Sequence, residues 1–204
     1  MKVDLKKELD CYRARAGELR VVDVPPLQYL MLDGHGDPNT SQEYADALAA
    51  LYPVAYALKF ASKRDLDRDY TVMPLEGLWW ADDMDTFTTA RDKSQWHWTA
   101  MILTPDWITS DLLDAAVSTV RAKSDPAALD RVRLATLEEG RCVQTLHLGP
   151  YDAEGPILER LHAFIADSGM QRTGKHHEIY LSDPRRAATD KLRTILRQPA
   201  REPH

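Results

Sequence analysis

The sequence predicts an α+β fold in which two β-α-β-β modules pair about a pseudo-two-fold axis. They form one largely antiparallel sheet with helices on one side. Three observations lead there. The order strand–turn–strand, loop, helix, strand, strand runs through the first half and returns in the second. Its period of about 110 residues is too long for a solenoid and suits a duplicated domain. Alternating apolar segments flank helices of 3.6 periodicity, and 204 residues, 44% apolar and 28% charged, suffice for one sizeable core.

Residues 1–18 read as a short, polar, partly helical lead-in to a single domain over 19–204. Module one covers about 19–124 and module two about 125–204. Leu19 to Val24 is strand-like, Pro25-Pro26 turns the chain, and Leu27 to Asp33 is a second strand closed by Gly34-His35-Gly36-Asp37-Pro38. Thr40-Ser41-Gln42-Glu43 fits a capping box with Thr40 at N-cap. A helix follows on Tyr44, Leu48, Leu51, Ala55 and Leu58, and Pro53 is expected to kink or restart it. Tyr70 to Trp80 and Gln95 to Leu103 read as strands around a polar loop, Ala81 to Ser94, whose length and polarity suit a lid. A helix on Leu112, Leu113, Ala116, Val117 and Val120 closes the module at Ser124-Asp125-Pro126.

The second module repeats this order. Val132 to Leu137 and Arg141 to Leu148 are strands about a Glu138-Glu139-Gly140 turn. A helix on Ile157, Leu161, Phe164 and Ile165 ends at Ser168-Gly169. A strand through Glu178 and a final strand, Lys191 to Pro199, complete it; the start of the latter is also compatible with helix. Aligning the halves sets Leu75-Glu76-Gly77-Leu78-Trp79-Trp80 against His177-Glu178-Ile179-Tyr180. Each module is then expected to place one glutamate, Glu76 or Glu178, on its second-to-last strand.

Composition narrows the function. Net charge is −6 with lysine and arginine scattered, a poor match for a phosphate backbone, so no nucleic-acid partner is expected. No apolar run approaches the length of a membrane span. The charged N-terminus lacks a secretory h-region, and Cys11 and Cys142 have no CxxC spacing, as in a cytoplasmic protein with reduced thiols. No coiled coil or interface stripe indicates an oligomeric state.

The chemistry concentrates in two places. In Lys175-His176-His177-Glu178-Ile179-Tyr180, strand alternation turns His176, Glu178 and Tyr180 to one face and Ile179 to the other. That face is either a solvated sheet surface, with Glu178 paired to a lysine or arginine, or a site in which Glu178 serves as general base and Tyr180 donates to an oxyanion. The five tryptophans all lie between Trp79 and Trp107. Trp96 and Trp98 share one face of a strand, and Trp80 shares a face with Glu76 and Leu78. They form either a core cluster or an aromatic cage for flat, conjugated or cationic ligands. His176 and His177 point oppositely and do not chelate, and no other metal-ligand spacing stands out, so no metal or cofactor is expected. His35 reads as a loop residue and Cys142 as an inert core thiol. Gly34-x-Gly36 lacks the third glycine of a nucleotide loop, and GxSxG, HExxH and P-loop motifs are absent.

Several segments together resemble the stand-alone GyrI-like small-molecule-binding proteins. They are Leu30 to Asn39, Tyr52 to Lys59, Pro74 to Trp80, Gly149-Pro150-Tyr151 and Gly174 to Pro184. The resemblance spans nearly the whole chain and implies an SHS2-dyad fold, two modules around a central cleft with a glutamate at its base, which Glu178 matches. A branch that looks like this chain opens the cyclopropane of yatakemycin- and duocarmycin-type DNA-alkylating antibiotics. Carried over, it implies Glu178 and Tyr180 as catalytic residues and an aromatic cage drawn from Trp79, Trp80, Trp96 and Trp98. Glu76, Tyr151 and His176 complete the expected ligand-binding set. The partners implied are hydrophobic aromatic small molecules. The alternative is a non-catalytic binder or sequesterer of cationic drugs; gyrase interaction rests on the family's name alone. Regulators of the family carry a helix-turn-helix domain first, and residues 1–18 are too few for one.

Overall fold

Strand pairing joins the two predicted modules end to end. The computed structural model describes residues 2–82 and 93–203. Among these the strands are β1 (Arg20–Val24), β2 (Leu27–His35), β3 (Leu75–Trp80), β4 (His97–Leu103), β5 (Arg133–Leu137), β6 (Gly140–Leu148), β7 (Gln171–Arg172), β8 (His176–Tyr180) and β9 (Arg193–Arg201). The helices are α1 (Leu5–Glu8), α2 (Gln42–Asp65), α3 (Ser110–Lys123) and α4 (Gly155–Asp167). Sheet order is β1-β6-β9-β8-β3-β4-β2-β5, with β7 against β9, and every ladder is antiparallel.

This order is a palindrome of modules. Exchanging β1 with β5, β6 with β2, β9 with β4 and β8 with β3 returns the same sheet, so the pseudo-two-fold axis passes between β8 and β3. Each module also gives its first strand to the other: β1 pairs β6, and β5 pairs β2. The glycines that end β2 and β6 obey the same relation, Gly36 at φ 96° and Gly149 at φ 124°, a region open to glycine without a Cβ penalty.

Helices cover one face in two separate places. α2 packs on β2 and β4, α4 packs on β6 and β9, and α3 packs mainly on α2. Leu51, Val54 and Leu58 of α2 are fully buried, as are Trp98 and Leu32 beneath it; each such side chain stabilises the fold by about 1.5–3 kcal/mol. The other face is covered over part of its width by the N-terminal segment, whose Cys11 and Tyr12 are buried in the core. Val3 bridges Tyr70 and Ala16 bridges Leu146, so this segment crosses from one module to the other.

Several expectations change here. The N-cap of α2 is Ser41, whose Oγ accepts from the Tyr44 N–H. The N–H groups of Thr40 and Ser41 both bond back to Asp37 O, a turn that delays the helix by one residue. Glu43 closes no capping box; its carboxylate accepts from the His35 N–H and from Arg131. α2 runs through Pro53 as one element, carried by its buried face. Tyr70 makes only a lone bridge, and the strand begins at Leu75. A 3₁₀ turn, Thr189–Lys191, precedes β9, and another, Lys93–Gln95, precedes β4; residues 83–92 of the expected lid loop lie outside the described residues.

The expected equivalence of Glu76 and Glu178 is also corrected. Directly opposed residues of neighbouring strands share a face. Gly77 opposes Glu178 and Leu78 opposes His177, so Glu178 shares its face with Gly77 and Trp79, while Glu76 and Trp80 look to the other side. A two-fold axis normal to the sheet preserves faces, and Glu76 is therefore not the counterpart of Glu178.

Candidate functional site

β8 and β3 lie between the areas covered by α2 and α4, next to the pseudo-axis. Their helix-side face carries Glu178, Tyr180, His176 and Trp79. Glu178 is 9% exposed and Tyr180 is half-buried. The Tyr180 hydroxyl donates to Glu178 Oε2 at 2.7 Å and accepts from the Trp79 indole N–H at 3.1 Å. His176 Nε2 stands 3.4 Å from the other carboxylate oxygen. Among the described residues no lysine or arginine comes within 4.0 Å of Glu178, so the expectation of a surface ion pair gives way to a buried carboxylate set among aromatic rings.

Two glycines make this packing possible. A Cβ on Gly77 would lie 2.6 Å from Trp79 Nε1, and one on Gly34 would lie 2.2 Å from the Trp98 ring. The bare backbone at 77 lets the Trp79 indole lie flat over β3 and reach Tyr180. Tyr44 of α2 stands edge-on to Trp98 at 5.0 Å and 6.0 Å from Trp79; Trp96 meets Trp79 at 5.9 Å. Tyr151 closes the far side, edge-on to Tyr180 at 5.5 Å. Such edge-to-face contacts each add about 0.5–1.5 kcal/mol beyond area burial.

Electrostatics keep the phenols protonated. Burial, then the Glu178 charge, pushes the Tyr180 hydroxyl well above its ordinary value, and burial with Glu154 and Glu178 lifts Tyr151 to about 12. Tyr180 is thus a proton donor at neutral pH. A cavity of about 560 Å³ opens along α4 and reaches Trp79 and His176, with Ile165, Met170 and Gln198 among its walls.

Of the expected site residues, Glu178, Tyr180, Trp79, Trp96, Trp98, Tyr151 and His176 converge on this one face. Glu76 does not, and Trp80, on the far face, reaches only the edge of the cavity along α4. Trp80 stacks on His97 at 5.6 Å on the far face, with Lys175 Nζ 3.2 Å from its ring centroid. Glu76 is fully buried and accepts from the Tyr12 hydroxyl. Its other oxygen meets His177 Nε2 at 2.9 Å. His177 Nδ1 meets Glu139 at 3.0 Å, and Arg197 donates to Glu139 at 2.9 Å. The sequence reading missed two elements, Tyr44 and this buried network. Tyr44 sits at the first turn of the aligned helix face and was legible as helix core; nothing local marks Tyr12, Glu139 and Arg197 as partners.

Among the described residues no group of three or more His, Cys, Asp or Glu side chains is placed to hold a metal ion, and no helix is long and apolar enough to cross a membrane.

A family model for the GyrI-like small-molecule-binding domain matches residues 17–199. An uncharacterized conserved protein from Listeria innocua is 38% identical over 98% of this chain and 100% of its own, with a TM-score of 0.90. Two further Listeria innocua structures, each described as a hydrolase, are 37% and 36% identical over 98% of this chain and 100% of theirs, with TM-scores of 0.85 and 0.87. No curated protein sequence matches the chain.

Proposed function

Because the chain belongs to the GyrI-like small-molecule-binding family, we propose that it holds planar hydrophobic xenobiotics against the Trp79–Trp96–Tyr44 wall and hydrolyses a strained cyclopropane in drugs of the yatakemycin and duocarmycin type. The observation that carries this reading is the hydrogen-bonded run from Trp79 through Tyr180 to Glu178, buried among aromatic rings with, among the described residues, no lysine or arginine within 4.0 Å of the carboxylate. Two relatives described as hydrolases support the reaction class.

The chemistry balances on these residues. Glu178 takes a proton from water as the water oxygen bonds to the least hindered cyclopropane carbon. The broken C–C bond sends its electron pair into the ring, which becomes aromatic as a phenolate. Tyr180, kept protonated by its burial, turns its proton from Glu178 to that phenolate oxygen. The proton on Glu178 then returns to Tyr180 across the 2.7 Å contact. Water has added, the electrophilic ring is gone, and the drug no longer alkylates DNA. Detoxification inside the cytoplasm, and antibiotic resistance with it, follows on this reading.

A second reading keeps the pocket and drops the reaction: Glu178, with no lysine or arginine partner among the described residues, serves as counter-charge for a cationic drug. Mass spectrometry of a cyclopropane-bearing duocarmycin-type drug incubated with wild type and with Glu178→Gln separates the two. The expected result is a product heavier by one water with wild type only. Intact drug after incubation with wild type, with tryptophan fluorescence quenched, would leave the binder in its place.

A further inference from the structure

The second face of the sheet is unevenly filled. Over β6, β8 and β9 the N-terminal segment occupies it: Arg197 donates to Cys11 O at 2.6 Å, and Gln144 to Arg13 O at 3.0 Å. The pseudo-symmetric half, over β2, β3, β4 and β5, instead holds a cavity of about 610 Å³. Its floor is built from alternate positions of four adjacent strands. Met31, Asp33, Leu78, Trp80, Thr99 and Arg133 line it, and their register puts them all on this face.

The charges in this cavity do not balance. Arg131, Arg133 and Lys175 face Asp33 and Glu43. Both carboxylates are engaged: Asp33 accepts from Arg133 at 2.9 Å and from the Thr99 hydroxyl at 2.7 Å, and Glu43 accepts from Arg131 at 2.8 Å. Lys175 remains. Among the described residues it has no carboxylate within 4.0 Å, and its ammonium rests on the Trp80 ring. A cation over an aromatic face in a partly buried site retains N–H donors for an anion. The local excess of positive charge also runs against the protein's net −6.

The geometry points to a second ligand site in this cavity, for a small organic anion: a carboxylate on an apolar or aromatic body. The carboxylate meets Lys175 and an N–H of Arg131 or Arg133 beyond those they give to Asp33 and Glu43. The body lies on Leu78, Met31 and Leu137. The site is on the opposite face from Glu178 and does not rest on the hydrolase reading; Trp80 and Lys175 also edge the cavity along α4, so Leu137, which lines this cavity and not that one, tells the two apart.

Isothermal titration with 2-naphthoate, and with 2-naphthylmethylammonium as the same body carrying the opposite charge, tests it. The expected result is saturable binding of one naphthoate per chain and much weaker binding of the ammonium. Lys175→Met, which keeps the stem and removes the charge, weakens naphthoate by about tenfold or more, the cost of a lost charged hydrogen bond. Leu137→Trp, filling the cavity from the edge strand β5, also weakens it, and Glu178→Gln leaves it unchanged. The site is overturned by absent or non-saturable naphthoate binding, by equal binding of the ammonium, by an unaltered Kd in Lys175→Met and Leu137→Trp, or by loss of binding in Glu178→Gln.

Discussion

Trp79 lies over Gly77 because nothing projects from that glycine, and its N–H bonds the Tyr180 oxygen whose own proton goes to Glu178. Two substitutions probe this arrangement. Gly77→Ala sets a methyl 2.6 Å from Trp79 Nε1. The indole must shift, at a cost of about 1–3 kcal/mol for overpacking, seen in urea denaturation as a lower midpoint at unchanged slope. Trp79→Phe keeps a ring and removes the N–H. One neutral hydrogen bond is worth about 1 kcal/mol net, so turnover of a cyclopropane drug is expected to fall several-fold while drug affinity changes little. Unchanged turnover would mean that Tyr180 needs no such anchor.

At the scale of elements, the N-terminal segment does more than lead in. Tyr12 places its hydroxyl on fully buried Glu76, and Tyr12→Phe leaves that oxygen without its donor, at a cost of about 1–3 kcal/mol. A denaturation midpoint equal to wild type would show the segment to be an appendage. The helix start offers a second check: Ser41→Ala should cost about 0.5–2 kcal/mol and Thr40→Ala close to nothing, since only Ser41 caps. Alternation and helical period made most of the elements legible, because they are local properties. The β3–β8 faces were not. Matching Glu76 to Glu178 by residue type ignored parity, and one residue of slip moves every side chain to the other face. The lead-in looked polar because Cys11 and Tyr12 are flanked by exposed charges, and what covers a sheet face is set by long-range partners. Gathering Glu178, Tyr180 and His176 needed only period two, and Trp79 joined them through cross-strand pairing.

The buried network ties the whole molecule to pH. His177 has a carboxylate at each ring nitrogen, so both nitrogens donate only when the ring is an imidazolium. Burial alone disfavours that charge, but Glu139 and Glu76 outweigh it and raise the His177 pKa above its ordinary 6.5. The folded state therefore binds the proton more tightly than the unfolded chain. This stabilisation is fully present below pH 6.5 and is lost as pH rises through the raised folded value. Glu139 behaves oppositely. Burial alone lifts it, but His177 and Arg197 hold it at about 2, so its contribution is present above 4.5 and is lost as pH falls toward 2. His162, lowered to about 4 by burial and then by Arg172, adds a further loss below its ordinary value. The acid limb is thus shared, and the alkaline limb reports His177 until the thiol range near 9.0, where Cys11 and Cys142, raised by burial, add their own loss. Thermal melting of wild type is expected to fall between pH 6.5 and 9. His177→Gln should melt lower throughout, as breaking a buried charged pair costs roughly 3–5 kcal/mol, yet lose the alkaline slope because no proton is left to release. A wild-type melting temperature flat from pH 6.5 to 9, or an equal slope in His177→Gln, would mean that the ring is neutral between its two carboxylates.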